Sequence, residues 1–150
     1  MTKNVAKIGL VAALYTILTL AVSPIAFGPL QLRLGELLKP LALGGPVYIY
    51  GLTIGLIVAN LFSPFAGIWE IAIMPLSCLI GGWIAYRLRK IPLLSVLFYA
   101  LWVSLSVGAM LHFVVGLPWF ATSSSIALSE IPLFLVGWQI GTRLLRCPKV

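Results

Sequence analysis

The sequence predicts an all-α integral membrane protein: one domain, residues 1–150, folded as a bundle of six transmembrane helices. Hydrophobic residues make up 61% of the chain and charged residues only 9%, whereas a soluble domain carries roughly a quarter charged residues. The stretches 8–32, 40–69, 71–86 and 91–129 contain no formal charge. Each is near or beyond the roughly 20 residues that cross a hydrocarbon core.

The spans are predicted in order from the ends of these apolar runs. They cover about 8–26, 30–44, 47–62, 69–87, 91–115 and 122–144. The first begins after a basic start, as a signal peptide would, but its apolar run is too long for one and Pro24 disfavours cleavage. The second is short for a span and contains Arg33, Glu36 and Lys39, so its length alone does not predict that it crosses the membrane.

The positions of the basic residues indicate that segment 30–44 does cross. They cluster before the first span, at 87–90 and in the C-terminal tail, and basic clusters favour the cytoplasmic side of a membrane. All three clusters fall on one side only if 30–44 crosses. We therefore expect six spans with both termini in the cytoplasm, in the plasma membrane of a prokaryote.

The net charge of +7 does not indicate nucleic-acid binding, because the basic residues flank apolar segments instead of forming one continuous polar face. Cys78 and Cys147 are too few and too far apart for a metal motif or a probable bridge. No Walker A motif is present, so any ATP hydrolysis would belong to partners. We expect no metal, no cofactor and no enzymatic activity of its own.

Glu36, Glu70 and Glu130 are the only acidic residues, and all three lie in or at the mouth of apolar runs. A carboxylate near the middle of a bilayer costs on the order of 3 kcal/mol on insertion scales. With six spans, these glutamates fall towards the outer ends of their helices. This clustering predicts a polar, outward-facing ligand pocket with loops rich in aromatic residues and proline.

The predicted ligand-binding residues are the polar and aromatic side chains near these outer ends: Gln31, Arg33, Glu36, Asn60, Trp69, Glu70, His112, Trp119 and Glu130. Simpler interpretations remain open. Arg33 and Glu36, at i and i+3, could form an ion pair. The tryptophans could belong to an interfacial belt, and His112 could serve only packing.

Small residues recur at four-residue spacing in three helices: Gly9-x-x-x-Ala13, Gly51-x-x-x-Gly55 and Gly137-x-x-x-Gly141. Such spacing permits close helix contacts in lipid. The simple interpretation is packing inside the bundle. Gly9 and Ala13 could instead dock a separate membrane subunit.

The stretch from Ile25 to Glu36, with Phe27-Gly28-Pro29, Gln31, Arg33 and Glu36, resembles the signature after the first helix of the QueT family. The segments 51–63, 118–119 and 129–130 also resemble that family. The resemblance implies a substrate-binding S component of an energy-coupling factor (ECF) transporter for queuosine precursors. It also implies six helices and docking onto a coupling module of one transmembrane protein and two ATPases. Lys39-Pro40 departs from the uncharged residues usual there.

The sequence therefore predicts capture of a deazaguanine base, whose adjacent N–H donors a carboxylate can accept and whose ring can stack on tryptophan. The main alternative is a small proton-coupled exporter of cationic compounds, in which membrane glutamates exchange protons for cargo. An intramembrane hydrolase using Ser104, Ser106 or the serines at 123–125 with His112 is disfavoured, since no Gly-x-Ser-x-Gly elbow is present.

Overall fold

The computed structural model describes residues 2–23 and 33–144, apart from the side chain of Leu144. Within them the helices are α1 (Thr2–Ala21), a 3-10 helix (Leu34–Gly44), α2 (Pro46–Asn60), α3 (Met74–Arg87), α4 (Pro92–Val115) and α5 (Trp119–Leu144). A π-helical turn, Trp69–Ile73, leads directly into α3. These residues contain no strand, so the prediction of an all-helical protein is confirmed for them.

Four helices are long and apolar enough to cross a membrane: α1, the π turn with α3, α4, and α5. The apolar helix α2 is shorter, with 15 residues, and the 3-10 helix has 11. The basic start of the chain is part of α1, because Lys3 and Lys7 lie within its first two turns.

Consecutive α-helices pack side by side from α1 to α5, and the 3-10 helix occupies the middle of the bundle. It contacts α1, α2, α3 and α5, and touches α4 more lightly. The 3-10 helix, which carries Glu36 and Lys39, is therefore the element with the most neighbouring helices. This position decides where the polar groups of the molecule meet.

An 11-residue 3-10 helix is unusual, since most are three or four residues long. A rise of about 2.0 Å per residue gives it a length of about 22 Å, against about 16 Å for an α-helix of the same length. Three residues per turn also place every third side chain on one line. Arg33, Glu36 and Lys39 follow this spacing, and all three are buried.

Pro40 contributes to this geometry. In a 3-10 helix the N–H of residue 40 would bond to the carbonyl of Leu37, and proline has no N–H. The Leu37 oxygen instead lies against Gly137 of α5, where a Cβ would collide with it. Gly137 thus allows α5 to approach the backbone of the 3-10 helix, through a contact of the Cα–H···O kind.

The 3-10 helix ends at two glycines. Gly45 has φ 142°, a conformation that side-chain-bearing residues avoid, and its N–H donates to Ala42 O at 3.2 Å. Pro46 then starts α2 at its first turn, where a missing N–H has no cost. The turn between the two helices is therefore specified by local sequence.

The α1–α2 contact uses the small residues of α2. A Cβ on Gly51 would lie 2.8 Å from the Cβ of Val11, and one on Gly55 would lie 2.8 Å from the carbonyl oxygen of Ala12. The Thr16 hydroxyl also lies 3.2 Å from Gly55 O. The Gly51/Gly55 pair therefore packs inside the bundle, whereas Gly9 of α1 has no neighbour around its Cβ position and is exposed.

This difference between two glycines predicts opposite effects of the same substitution. Gly55→Ala forces a methyl group onto the backbone of α1, so we expect a loss of about 1–3 kcal/mol in unfolding free energy. Gly9→Ala should be neutral or stabilising by up to about 1 kcal/mol, because alanine is the better helix former. Unfolding of the purified protein in mixed detergent micelles measures both. Equal effects of the two substitutions would contradict the assigned α1–α2 interface.

Candidate ligand-binding site

The Arg33 cluster, formed by Arg33, Asn60 and Glu70, joins three elements at one end of the bundle. Arg33 immediately precedes the 3-10 helix, Asn60 ends α2, and Glu70 lies in the π turn. The guanidinium donates from Nη1 to Asn60 Oδ1 and from Nη2 to Glu70 Oε1, each at 3.0 Å. Asn60 Nδ2 donates to the backbone carbonyl of Glu70 at 2.8 Å. These bonds fix the π turn against the ends of the other two elements.

The Lys39 cluster, formed by Tyr15, Glu36 and Lys39, lies deeper. Lys39 Nζ is 2.8 Å from Glu36 Oε2, a charge contact rather than an aligned hydrogen bond. The Tyr15 hydroxyl of α1 donates to Glu36 Oε1 at 2.5 Å. The Lys39 ammonium also lies 5.7 Å from the centre of the Tyr99 ring, within the range of a cation–π contact.

Contacts with two neighbouring helices fix the position of Tyr99. Its hydroxyl donates to the carbonyl of Cys78 in α3 at 3.1 Å, and Phe134 of α5 meets its ring edge-on at 5.5 Å between centroids. The aromatic contact of Lys39 is therefore supported by α3, α4 and α5 together. A lysine this deep in a membrane protein needs both a counter-ion and such a contact.

Glu130 completes the buried charges from α5. It is 1% exposed and lies within electrostatic range of Glu36, Lys39 and Arg33. Its Oε2 atom has no hydrogen-bond partner among the described residues, and the same holds for Oε2 of Glu70. Buried polar atoms are nearly always paired, so these two oxygens are unusual among the described side chains.

The buried charges do not balance. Two cations, Arg33 and Lys39, face three carboxylates within this region, and each cation has its own ion pair, with Glu70 and Glu36 respectively. Glu130 belongs to neither ion pair, although Lys39 and Arg33 lie within electrostatic range of it. A buried carboxylate without a direct counter-ion is costly.

The aromatic residues at this end form two separate groups. Trp69 of the π turn stacks on Phe113 of α4, with ring centroids 5.1 Å apart and planes within 9°. Trp119 stacks on Phe120 in the first turn of α5, and its Nε1 donates to Leu105 O at 3.2 Å. Trp69 is half-buried near Glu70, whereas Trp119 is exposed.

His112 lies in the turn that ends α4. Gly116, with φ 79°, donates its N–H to the carbonyl of His112 at 3.0 Å, and His112 Nδ1 lies 2.8 Å from Leu117 O. The imidazole is exposed and also meets Phe113 edge-on. It therefore participates in a local turn and does not join the buried charges.

Of the predicted ligand-binding residues, Arg33, Glu36, Asn60, Glu70 and Glu130 lie together in the interior, with Trp69 beside them. His112 and Trp119 lie on the surface, and Gln31 lies outside the described residues. Sequence reasoning missed the contribution of Tyr15, and it placed Lys39 apart from the site. The three-residue spacing of Glu36 and Lys39 was the available signal, since side chains at i and i+3 are neighbours on a helix and lie on one line on a 3-10 helix.

Three of the serines considered for a hydrolase, Ser104, Ser106 and Ser124, bond backbone carbonyls, whereas the buried hydroxyl of Ser123 has no partner among the described residues. Ser104 donates to Ala100 O at 2.8 Å, and Ser106 bonds Trp102 O and the Ser77 hydroxyl. His112 is bonded to the Leu117 carbonyl and serves none of these hydroxyls as a base. Among the described residues, no three His, Cys, Asp or Glu side chains come together as a metal site.

Comparison with known proteins gives two findings. Residues 5–145 match the QueT transporter family. The queuosine precursor transporter QueT of Lactococcus lactis subsp. cremoris (strain MG1363) is 30% identical over 161 aligned residues, which cover 95% of this chain and 92% of the relative. No solved structure matches the chain.

The Lys39–Glu36 ion pair predicts a strong coupling between two substitutions. Lys39→Met leaves Glu36 buried without its cation, which should cost about 3–5 kcal/mol in unfolding free energy. Adding Glu36→Gln removes the orphaned charge while keeping an acceptor for the Tyr15 hydroxyl, so the double variant should recover at least half of that loss. Denaturation of the single and double variants in detergent measures the coupling. Additive losses would mean that the two side chains do not interact.

Proposed function

Because the chain belongs to the QueT transporter family, we propose that it is the substrate-binding S component of an ECF importer. Its substrate would be a queuosine precursor, a deazaguanine base taken up from outside the cell. The lactococcal relative carries the name of a queuosine precursor transporter. The observation that carries the proposal is the buried, charged region at one end of the bundle, in which Glu130 belongs to neither the Arg33–Glu70 nor the Lys39–Glu36 ion pair.

The proposed ligand site consists of five buried residues and the half-buried Trp69: Arg33, Glu36, Asn60, Trp69, Glu70 and Glu130. Gln31, His112 and Trp119 are also proposed as ligand contacts. The Oε2 atoms of Glu70 and Glu130 are acceptors without a partner among the described residues. A guanine-like edge presents adjacent N–H donors that suit a carboxylate. Phe113 covers one face of Trp69, so a flat ring would stack on the other face.

The charge count makes the proposal more specific. A neutral base would leave Glu130 without a counter-charge, whereas a base bearing one ammonium group would balance two cations and three carboxylates. Hydrogen bonds to charged groups contribute about 1.5–3 kcal/mol. We infer that the preferred precursor is a deazaguanine with a primary ammonium group.

We further propose six membrane crossings, with both termini cytoplasmic, in the plasma membrane of a prokaryote. The 3-10 geometry supports the second crossing, because a rise of about 2.0 Å per residue carries 11 residues farther than an α-helix would. The exposed basic residues Arg87, Arg89 and Lys90 follow α3, and their charge favours the cytoplasmic side. This orientation places the Arg33 cluster towards the outside.

The coupling partner is proposed to be the ECF module, a transmembrane protein with two ATPases that supply the energy. Gly9 and Ala13 of α1 are both exposed, and a Cβ on Gly9 would meet nothing within 4 Å. The described residues therefore leave this small-residue surface uncovered, unlike Gly51 and Gly55. It suits the close approach of a helix from the coupling protein.

The alternative, a proton-coupled exporter of cationic compounds, would also use a buried carboxylate such as Glu130. Liposomes containing only this protein separate the two functions. An exporter would move a cationic substrate when a proton gradient is imposed, whereas an S component without its coupling module would bind the base but not drive its accumulation.

The ligand prediction concerns Glu130→Gln. Replacing a carboxylate acceptor by an amide removes the charge and turns one acceptor into a donor, so affinity for an ammonium-bearing deazaguanine should fall roughly 10- to 100-fold. An uncharged analogue of the same base should bind the parent more weakly and lose less on substitution. Calorimetric titration measures both, with Gln139→Leu on the exposed part of α5 as the control. Unchanged affinity in the Gln variants of Glu36, Glu70 and Glu130 would show that the glutamates are structural.

The topology prediction uses a variant in which Cys78 and Cys147 are replaced. A cysteine at Phe120 should react with a membrane-impermeant maleimide added to intact cells, because that end faces outside. A cysteine at Leu88 should react only after the membrane is opened. Labelling of both positions from the same side would rule out the six-span arrangement.

The docking prediction uses Gly9→Leu with Ala13→Leu. Two leucines would hold a partner helix away from α1, so transport and co-purification with the coupling module should be lost while ligand affinity is kept. Ala72→Leu with Ala121→Leu, two exposed alanines on other helical elements, is the matched control and should retain all three properties. Loss of ligand binding in the α1 variant would place Gly9 and Ala13 inside the functional bundle.

A further inference from the structure

A groove runs between α1 and α5, with the 3-10 helix as its floor. Its volume is about 480 Å³, within the range of roughly 300–1,000 Å³ typical of small-molecule sites. Val11 and Leu41 at its base are buried, while Leu10 and Leu14 at its rim are exposed. The groove exists because the 3-10 helix lies between α1 and α5.

The lining is apolar along nearly its whole length. Lys7 and Tyr48 are the only polar side chains among the described residues that line it. Lys7 lies in the second turn of α1, and the exposed Arg143 lies two residues beyond Gly141 of the opposite wall. The charge is therefore at the end of the groove where α1 begins and α5 ends, which is a membrane surface in either orientation of the chain.

The length of the groove matches one leaflet of a bilayer. The α1 lining extends from Lys7 to Leu18, which is about 16 Å at 1.5 Å per residue. Half of a hydrocarbon core is about 15 Å. An apolar channel of this length, with a cation at its surface end, is complementary to a lipid whose acyl chain lies along the groove and whose phosphate meets Lys7.

We propose that this groove is a binding site for an anionic phospholipid, held by one acyl chain between α1 and α5 and by its phosphate at Lys7. The site is separate from the buried charges around Glu36 and Glu130. It is also separate from the exposed Gly9 and Ala13, which are absent from the groove lining. The bound lipid would close the side of the bundle where α1 and α5 lack direct contact.

The test is native mass spectrometry of the full-length protein released from detergent with added phosphatidylglycerol or phosphatidylcholine. The parent should bind phosphatidylglycerol more tightly. Lys7→Gln should weaken phosphatidylglycerol binding about fivefold, as expected for one basic residue near a membrane surface. It should weaken phosphatidylcholine binding less, because the choline ammonium group offsets the charge of that lipid's phosphate. Lys90→Gln, an exposed basic residue beyond α3, is the matched control and should leave both affinities unchanged.

A second variant tests the acyl chain. Gly141→Leu fills the groove from the α5 side, so both lipids should bind more weakly while the helical circular dichroism spectrum is retained. Leu14→Trp fills the groove from the rim of α1 and should act likewise even if Gly141→Leu fails to fold. Equal losses in Lys7→Gln and Lys90→Gln would overturn the proposal. So would undiminished lipid binding in the filled variants together with loss of a co-purifying protein, which would identify the occupant as a protein helix.

Discussion

The ion pairs carried by the 3-10 helix are the constraint on which the rest of the structure depends. A helix that carries Glu36 and Lys39, with Arg33 directly before it, can occupy the middle of a membrane bundle only if each charge finds a partner there. Glu70 in the π turn and Tyr15 of α1 supply partners from outside the helix, and Lys39 and Glu36 neutralise each other. The positions of the surrounding helices are consequently constrained by the need to pair these charges.

The helix type and the burial of the charges depend on each other. On an α-helix, with about 100° per residue, side chains at i and i+3 such as Glu36 and Lys39 would point about 60° apart. With three residues per turn both point the same way. A 3-10 helix has poorer hydrogen-bond geometry than an α-helix, and here the buried ion pairs and the contact of Leu37 with Gly137 offset that disadvantage.

Much of this site could be predicted from composition, and the limits of that prediction have physical causes. Scarce carboxylates in apolar runs indicated buried positions, and Glu36, Glu70 and Glu130 are indeed buried. The surface positions of His112 and Trp119 follow from the Gly116 turn and the early start of α5, which depend on local backbone geometry. The interior position of Lys39 could not be predicted from sequence spacing, because it depends on the Tyr99 ring and on the helices that surround the 3-10 helix.

The helix α1 connects the site to the outside of the bundle through three faces with different roles. One face is buried against α2, the 3-10 helix and Glu36, another lines the apolar groove, and a third presents Gly9 and Ala13. A Cβ on Gly35 would collide with Thr19 and lie 2.9 Å from Tyr15 O, so α1 and the 3-10 helix are in backbone contact beside Glu36. Packed elements transmit small displacements instead of absorbing them. Any movement of α1 relative to the bundle therefore changes the geometry of the Tyr15–Glu36 hydrogen bond, next to the carboxylates proposed to hold the ligand.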